Sequence, residues 1–392
     1  MRRDKVVRSL AVQWVGRGWI PRPQLLACVV PGGSAREHPD QPAPWSTAWC
    51  PGLSALSALR EVRYAWSTSG GRSLAGRRVL ALADQASQGV RVVRQVLEDA
   101  VAPVTRMVEL PGRGVTRVWE CAGPRGAGTL MLIHGVACTA ELNWGKVLAP
   151  LGCHFRVIAA DLRGHGDGIS TGLRFRLEDC ADDIAALAQA LDIRSFVAVG
   201  YSMGGIIAQL LYRRHRTLVS GLVLCATAGN VLGSPAEKLA ALTLPAAAAA
   251  MWWNPVLRLA SAEVLGMALL GPVDDPATAD WARAQLRRTR LAAAVSAVQA
   301  VCEFTSDGWI GQVDVPTAVV VTGRDRIVPA SRQLKLAHAV PGASVHEVDA
   351  DHAVCITAPE VFAPVLLQAC WSVQPGRSPR RAEAGRAASG VA

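Results

Sequence analysis

Gly200-Tyr201-Ser202-Met203-Gly204 sets a serine hydroxyl between two glycines, each two positions away. The apolar run Phe196-Val197-Ala198-Val199 precedes it, and the helix-like stretch Gly205-Ile206-Ile207-Ala208-Gln209-Leu210-Leu211 follows. Strand, G-x-S-x-G and helix in that order form a turn so sharp that the two flanking positions must lack bulk. The hydroxyl is left projecting at the carboxyl end of the strand. In a chain with 36 glycines the bare pattern means little, and its flanks give it weight. A serine hydroxyl is a poor nucleophile at its own pKa. It needs a base, and the base needs an acid to orient it.

Both partners can be found downstream. Thr317-Ala318-Val319-Val320-Val321 reads as a strand running into Thr322-Gly323-Arg324-Asp325, which puts Asp325 on a loop at a strand's carboxyl end. Ser344-Val345-His346-Glu347-Val348 reads as another strand, followed by Asp349-Ala350-Asp351-His352 and then Pro359-Glu360 opening a final helix. His352 thus falls on the loop after the last strand. Asp314, Asp349 and Asp351 are the sequence neighbours that compete with Asp325. The fourth requirement is a pair of N–H donors for the oxyanion. Thr129-Leu130-Met131-Leu132-Ile133 runs into His134-Gly135-Val136, so the backbone N–H groups of Val136 and of Met203, next to the serine, are the expected donors. His134 is the rival base. Its place on a strand end makes it a packing residue beneath the donors, and His352 the base.

These pieces make residues from about 105 to 371 resemble an α/β-hydrolase of the large esterase, lipase and C–C hydrolase type. The matching motifs are His134-Gly135, Asp161-Leu162-Arg163-Gly164-His165-Gly166, Gly200-Tyr201-Ser202-Met203-Gly204-Gly205, Gly323-Arg324-Asp325-Arg326-Ile327-Val328-Pro329, and Asp351-His352 with Pro359-Glu360. Two departures concern the subfamily. Asp351 precedes the histidine where the family often has glycine, and Asp167-Gly168-Ile169-Ser170 spaces its serine more widely than usual. The resemblance implies a mostly parallel sheet covered by helices on both faces, a helical cap insertion, and a cofactor-independent serine hydrolase with a catalytic triad of Ser202, Asp325 and His352. It implies no cofactor and no metal, and an ester or similar acyl substrate, apolar and small. C–C bond hydrolysis and the peroxide chemistry of cofactor-free haloperoxidases use the same triad and stand as alternatives. Epoxide hydrolases and haloalkane dehalogenases carry Asp where Ser202 stands. A non-catalytic binding protein on this fold typically lacks a triad member, and none is missing here.

Composition bounds the rest. Residues 1–115 hold 16 Lys/Arg against 8 Asp/Glu and residues 372–392 hold 4 against 1, while 116–371 are nearly balanced at 21 against 22. The net charge of +10 therefore sits at the ends. That pattern argues against nucleic-acid binding and for solvated tails or weak association with an anionic membrane surface. Leu239–Leu257 carries no charge and is long enough to be tested as a membrane span. Its alanines, Pro245 and the closing Asn254-Pro255 make it a buried helix instead. Ten scattered cysteines with no C-x-x-C pair fit packing and a reducing compartment. With Arg8, Gln13 and Arg17 breaking any signal-peptide core, the expectation is a cytoplasmic protein.

Residues 1–75 show no sustained period and are expected to be a poorly ordered extension, or an over-extended start, since no methionine lies between Met1 and Met107. Within 76–104, Ala86, Val90, Val93 and Leu97 mark an amphipathic helix from about Arg78 to Val101. From Met107 onward a hairpin over Val108–Leu110 and Thr116–Glu120 is expected. Strands then alternate with helices: strands 129–133, 156–160, 196–199, 218–225, 317–321 and 344–348, and helices 176–191, 204–214, 331–339 and 359–371. The cap would occupy about 230–310, where Met251, Trp252, Trp253, Leu265, Met267, Leu269 and Leu270 could line an apolar pocket. Arg283, Arg287, Arg288 and Arg290 give it a basic face. A basic tail follows at 372–392, and the oligomeric state is not legible.

Overall fold

A computed structural model describes residues 102–374, except 173, 233–236, 238, 240, 257–259 and 272. The N-terminal extension, the amphipathic helix before residue 102 and nearly all of the basic tail lie outside the described residues. The chain divides into two compact units, and the smaller one includes Trp119–Ala127 and Gly145–Ile158. Within it Arg156 grips Glu120 through Nε and Nη2 at 3.0 and 2.7 Å, and the Cys121 thiol lies 3.7 Å from the Leu148 carbonyl. The larger unit holds Arg106–Val118, Gly128–Trp144 and the described residues from Ala159 on.

Eight strands form one sheet in the order β1-β2-β4-β3-β5-β6-β7-β8. They are β1 (Val104–Leu110), β2 (Gly114–Cys121), β3 (Thr129–Ile133), β4 (Arg156–Ala160), β5 (Phe196–Tyr201), β6 (Val219–Cys225), β7 (Thr317–Thr322) and β8 (Ser344–Val348). From β3 through β5, β6 and β7 to β8 every pairing is parallel. Parallel strands roofed on both faces must be apolar throughout. Accordingly every residue of β5 and β7 is buried, whereas β8 at the sheet's edge alternates. The register sets Ile133 beside Gly200, Tyr201 beside Cys225 and Cys225 beside Val320. The carboxyl ends of four strands are thereby brought level, where ligands bind in such sheets.

The helices among the described residues are α1 (Ala140–Gly152), α2 (Leu177–Ala190), α3 (Met203–Arg214), α4 (Leu244–Trp253), α5 (Glu263–Leu270), α6 (Pro276–Leu286), α7 (Leu291–Glu303), α8 (Ala330–Ala339), the single turn α9 (Val354–Thr357) and α10 (Pro359–Ser372). The expected alternation holds to within a residue or two at each end, with two omissions: α1 and the single turn α9 are absent from the sequence reading. Helix α3 packs on β5 and β6, and α10 on β7 and β8. Helices α4 to α7 fill the excursion between β6 and β7. Within it α4 departs from the buried helix expected of Leu239–Leu257. One side of α4 packs on α7, but Leu239, Leu242, Trp253 and Val256 stand exposed. Absence of charge made the segment apolar; it did not supply a partner for every side of the helix.

Candidate active site

Ser202 sits between the last residue of β5 and the first of α3 with φ 53° and ψ −118°. A side chain held in that region costs roughly 1–3 kcal/mol and persists only where its surroundings over-determine it. Here they do. The Ser202 N–H donates to the Cys225 carbonyl at 2.9 Å, and the Thr227 hydroxyl donates to the Ser202 carbonyl at 2.8 Å. A Cβ on Gly204 would run into the Ile133 carbonyl, and one on Gly200 into the Gly204 carbonyl. Both glycines flanking the serine are therefore required by close backbone approach.

His352 Nε2 lies 3.0 Å from Ser202 Oγ, and its Nδ1 lies 2.7 Å from Asp325 Oδ2. A carboxylate only accepts, so Nδ1 carries the proton and Nε2 is left to accept from the serine hydroxyl. Asp325 is itself held from several sides. Its Oδ1 accepts from the N–H groups of Ile327 and Val328, each at 2.8 Å, and its Oδ2 from the Thr322 hydroxyl at 2.7 Å and Gln333 Nε2 at 3.2 Å. Burial pushes the carboxyl's pKa up. The His352 hydrogen bond and charge, the Val328 N–H and the Thr322 hydroxyl outweigh it and hold the group below its ordinary value. The imidazole is steadied from behind, where Tyr201 donates its hydroxyl to the His352 carbonyl at 2.8 Å and sets its ring edge-on to His352.

His134 is fully buried and its two ring nitrogens are occupied by backbone. Nδ1 is 2.8 Å from the Gly135 carbonyl, and Nε2 accepts from the Leu162 N–H at 2.9 Å. Burial, with His165 nearby, pushes its pKa down to about 3, so it is a neutral spacer. The loop it begins reaches the serine: a Cβ on Gly135 would stand 3.4 Å from Ser202 Cβ. Val136 follows directly. Met203 opens α3, and the first N–H groups of a helix have no carbonyl one turn back to bind.

The sequence reading missed the residue that holds this loop. Asn143, buried in α1, accepts the Gly135 N–H on Oδ1 at 2.8 Å and donates Nδ2 to Cys355 Sγ at 3.3 Å. It ties the loop after β3 to the helix turn that follows His352. Gln333 in α8 was missed likewise. It binds Thr322, Asp325 and the Val328 carbonyl through one amide nitrogen. Nothing in the local sequence marks either residue, because only the folded loops gather their partners around one amide.

The rival acids are engaged elsewhere. Asp314 pairs with Arg216 and accepts from the Tyr212 hydroxyl, Asp349 pairs with Arg324, and Asp351 caps the Ala353 N–H. Burial pushes the Cys138 thiol up to about 12 and raises that of Cys355 as well, so neither supplies a thiolate. Among the described residues no group of three or more His, Cys, Asp or Glu could hold a metal ion. Of the expected pocket residues, Leu270 is buried and Trp253 is exposed. The basic face is partly spoken for: Arg287 pairs with Glu263, and Arg288 with Asp167, Asp161 and Glu141.

Residues 128–359 match the family model of the alpha/beta hydrolase fold. A poly(3-hydroxyalkanoate) depolymerase of Ectopseudomonas oleovorans is 24% identical over 265 residues, 68% of this chain and 92% of that protein. A non-heme chloroperoxidase of Streptomyces lividans is 28% identical over 259 residues, 62% of this chain and 92% of that one. Among solved structures, a thermophilic esterase from Thermogutta terrifontis superposes with a TM-score of 0.56 at 23% identity, covering 68% of this chain and 97% of that chain.

Proposed function

The chain belongs to the alpha/beta hydrolase fold family, and we propose that it is a serine hydrolase that cleaves an ester or a similar acyl bond. The observation that carries this reading is the continuous hydrogen-bonded series from Ser202 Oγ through His352 to Asp325, at 3.0 and 2.7 Å. Ser202 attacks the acyl carbon as His352 Nε2 takes its proton. Asp325 stabilises the imidazolium that forms and keeps its orientation. The oxyanion is received by the N–H groups of Val136 and Met203. Proton return from His352 releases the alcohol and leaves an acyl-serine. Water, deprotonated by the same imidazole, then frees the acid. Every step uses protein groups and water.

Helices α4 to α7 are read as the element that selects the acyl group, and the substrate as small and apolar. The sheet-bearing region from about 105 to 371 is read as sufficient for the chemistry, and the cytoplasm as its place. A second reading, peroxide chemistry on the same triad, is favoured by the chloroperoxidase relative alone. The test is a fluorophosphonate probe on the full chain, together with a panel of acyl esters of graded length and a halide–peroxide assay. Labelling abolished by Ser202→Ala, with ester turnover lost about 10⁶-fold, supports the reading. Labelling that survives the substitution overturns it.

A further inference from the structure

We propose that Gln285, in the last turn of α6 and set by Arg288, is a positioning residue for the oxyanion donor assigned to Val136, a role that rests on the hydrolase reading given above. Val136 lies in the short loop from β3 to α1, and the residue after it is strained. Ala137 is fully buried with φ 61°, a left-handed conformation that a residue carrying a Cβ rarely adopts. Such a conformation persists only where its surroundings hold it. Asn143 holds the loop on one side of Ala137, through the Gly135 N–H at 2.8 Å. The hold on the other side comes from a residue 146 positions further along the chain.

The Thr139 hydroxyl donates to Gln285 Oε1 at 2.9 Å and accepts the Leu142 N–H at 3.0 Å. One group thus caps α1 and ties the end of the loop to α6. Thr139 is 0% exposed and Gln285 8%, so no water stands ready to replace the bond. Arg288, three residues on, aims the amide: its Nη1 donates to the same Gln285 Oε1 at 2.8 Å. Its Nη2 faces the carboxylates of Asp167 and of Asp161, the latter at 3.6 Å. Asp161 Oδ1 in turn accepts the Ala140 N–H at 2.8 Å. The start of α1 is therefore gripped at two adjacent residues, and Arg288 joins the grips. With Glu141 also 3.6 Å away, Arg288 is committed to this junction and not to an acidic substrate. Thr289 adds a tie beside it by accepting the Gly166 N–H at 3.3 Å. All these residues belong to the larger unit.

Placement separates positioning from plain stability. Thr139 is three residues from Val136, and strained Ala137 lies between them. Without the Gln285 oxygen the Thr139 hydroxyl must turn to another acceptor, and Ala137 is free to relax. That relaxation turns the peptide planes beside it, and the Val136 N–H is one plane away. Gln285 and Asn143 hold two ends of one loop, so releasing either should spend most of what the other protects.

The test is steady-state kinetics of the full-length protein on a soluble p-nitrophenyl ester of a short acid, with thermal melting of each variant. Gln285→Leu should lower kcat about tenfold, a part of the 10²–10³-fold that a deleted oxyanion donor costs, with KM within about twofold. Gln285→Glu keeps an oxygen facing the Thr139 hydroxyl and should recover most of the loss. Arg288→Gln, at a half-buried site, should lower kcat in the same way by a smaller factor, and it carries the test if Gln285→Leu does not fold. Gln285→Leu combined with Asn143→Ala should lose less than the product of the two single losses. Three outcomes overturn the proposal: kcat within about twofold in both Gln285→Leu and Arg288→Gln whatever the melting temperature, a loss carried by KM, or single losses that simply multiply. A parent whose turnover survives Ser202→Ala brings down the hydrolase reading as well. Turnover that depends on Ser202 but ignores Gln285 and Arg288 brings down the positioning role alone.

Discussion

Replacing Asn143 with alanine removes two hydrogen bonds at once, one to the Gly135 N–H at 2.8 Å and one to Cys355 Sγ at 3.3 Å. Gly135 is buried, so its N–H is left without a partner, which costs about 1–3 kcal/mol. The melting temperature should fall by roughly 2–4 °C for each kcal/mol lost. A separate effect on rate follows from position, since Gly135 immediately precedes Val136, whose N–H is assigned to the oxyanion. Deleting an oxyanion donor outright costs about 10²–10³-fold in kcat. Slackening the loop that aims it should cost part of that, about tenfold to a hundredfold, with KM nearly unchanged because the donor acts on the transition state. Cys355→Ala removes only the sulfur acceptor and should cost much less. Steady-state kinetics on a soluble ester, alongside thermal melting, separate the two effects. If Asn143→Ala lowers the melting temperature but leaves kcat within about twofold, Asn143 serves stability alone and the argument fails.

Asp325→Asn should lower kcat by about 10⁴-fold, because the amide favours the wrong imidazole tautomer. A larger loss in Asp351→Asn would move the role to that residue. Gly204→Ala should abolish soluble expression or destabilise the protein severely, since the methyl group meets the Ile133 carbonyl. A well-folded variant would contradict the close approach. Stability should also fall with acidity. Burial pushes His134 down to about 3 and His165 to about 4, so both stay neutral in the folded chain while the unfolded chain binds their protons below about 6.5. Each contribution is whole above about 6.5 and is lost as pH falls, by up to about 1.4 kcal/mol per pH unit. Asp161 works the other way, because burial raises it to about 6 and it takes up a proton on the folded side first. The net slope between pH 6 and 4 should be a loss, since Asp161 offsets only one of the two histidines and burial lowers His346 as well. Urea unfolding at stepped pH measures it, and stability that rises as pH falls through this range would refute it.

Much of the fold was legible because apolar runs bounded by Gly, Pro or Asp translate directly into buried parallel strands. Thr129–Ile133 is such a strand over those very residues, and Ser344–Val348 is the half-exposed edge strand over the residues expected. The sharp turn at Ser202 could be read because its constraint is local: the glycines and the serine meet the same few atoms that their spacing implies. Helix α1 escaped notice since Gly145 interrupts it and Pro150 lies inside its last turn, both of which weaken a helical pattern without ending this helix. Asn143 and Gln333 could not be found, as an amide's importance depends on which groups the folded loops bring to it. The exposure of α4 was hidden for a related reason. Composition reports how apolar a segment is, and tertiary structure alone decides which of its sides finds a neighbour.

The pairing of β6 with β7 has a consequence for how such a protein can change. Leu222 lies beside Thr317 and Cys225 beside Val320, so the two strands flanking the whole α4–α7 excursion are hydrogen-bonded neighbours. The excursion leaves the sheet and returns to the adjacent lane, closing on itself like a drawer in a cabinet. Its length can change while the two strands keep their pairing, provided that ties such as Arg288 to Asp161 and Asp167 are kept or replaced. A lineage can therefore try new insertions between two strands that stay paired, and an engineer can graft one, cutting after Ala228 and rejoining before Val315.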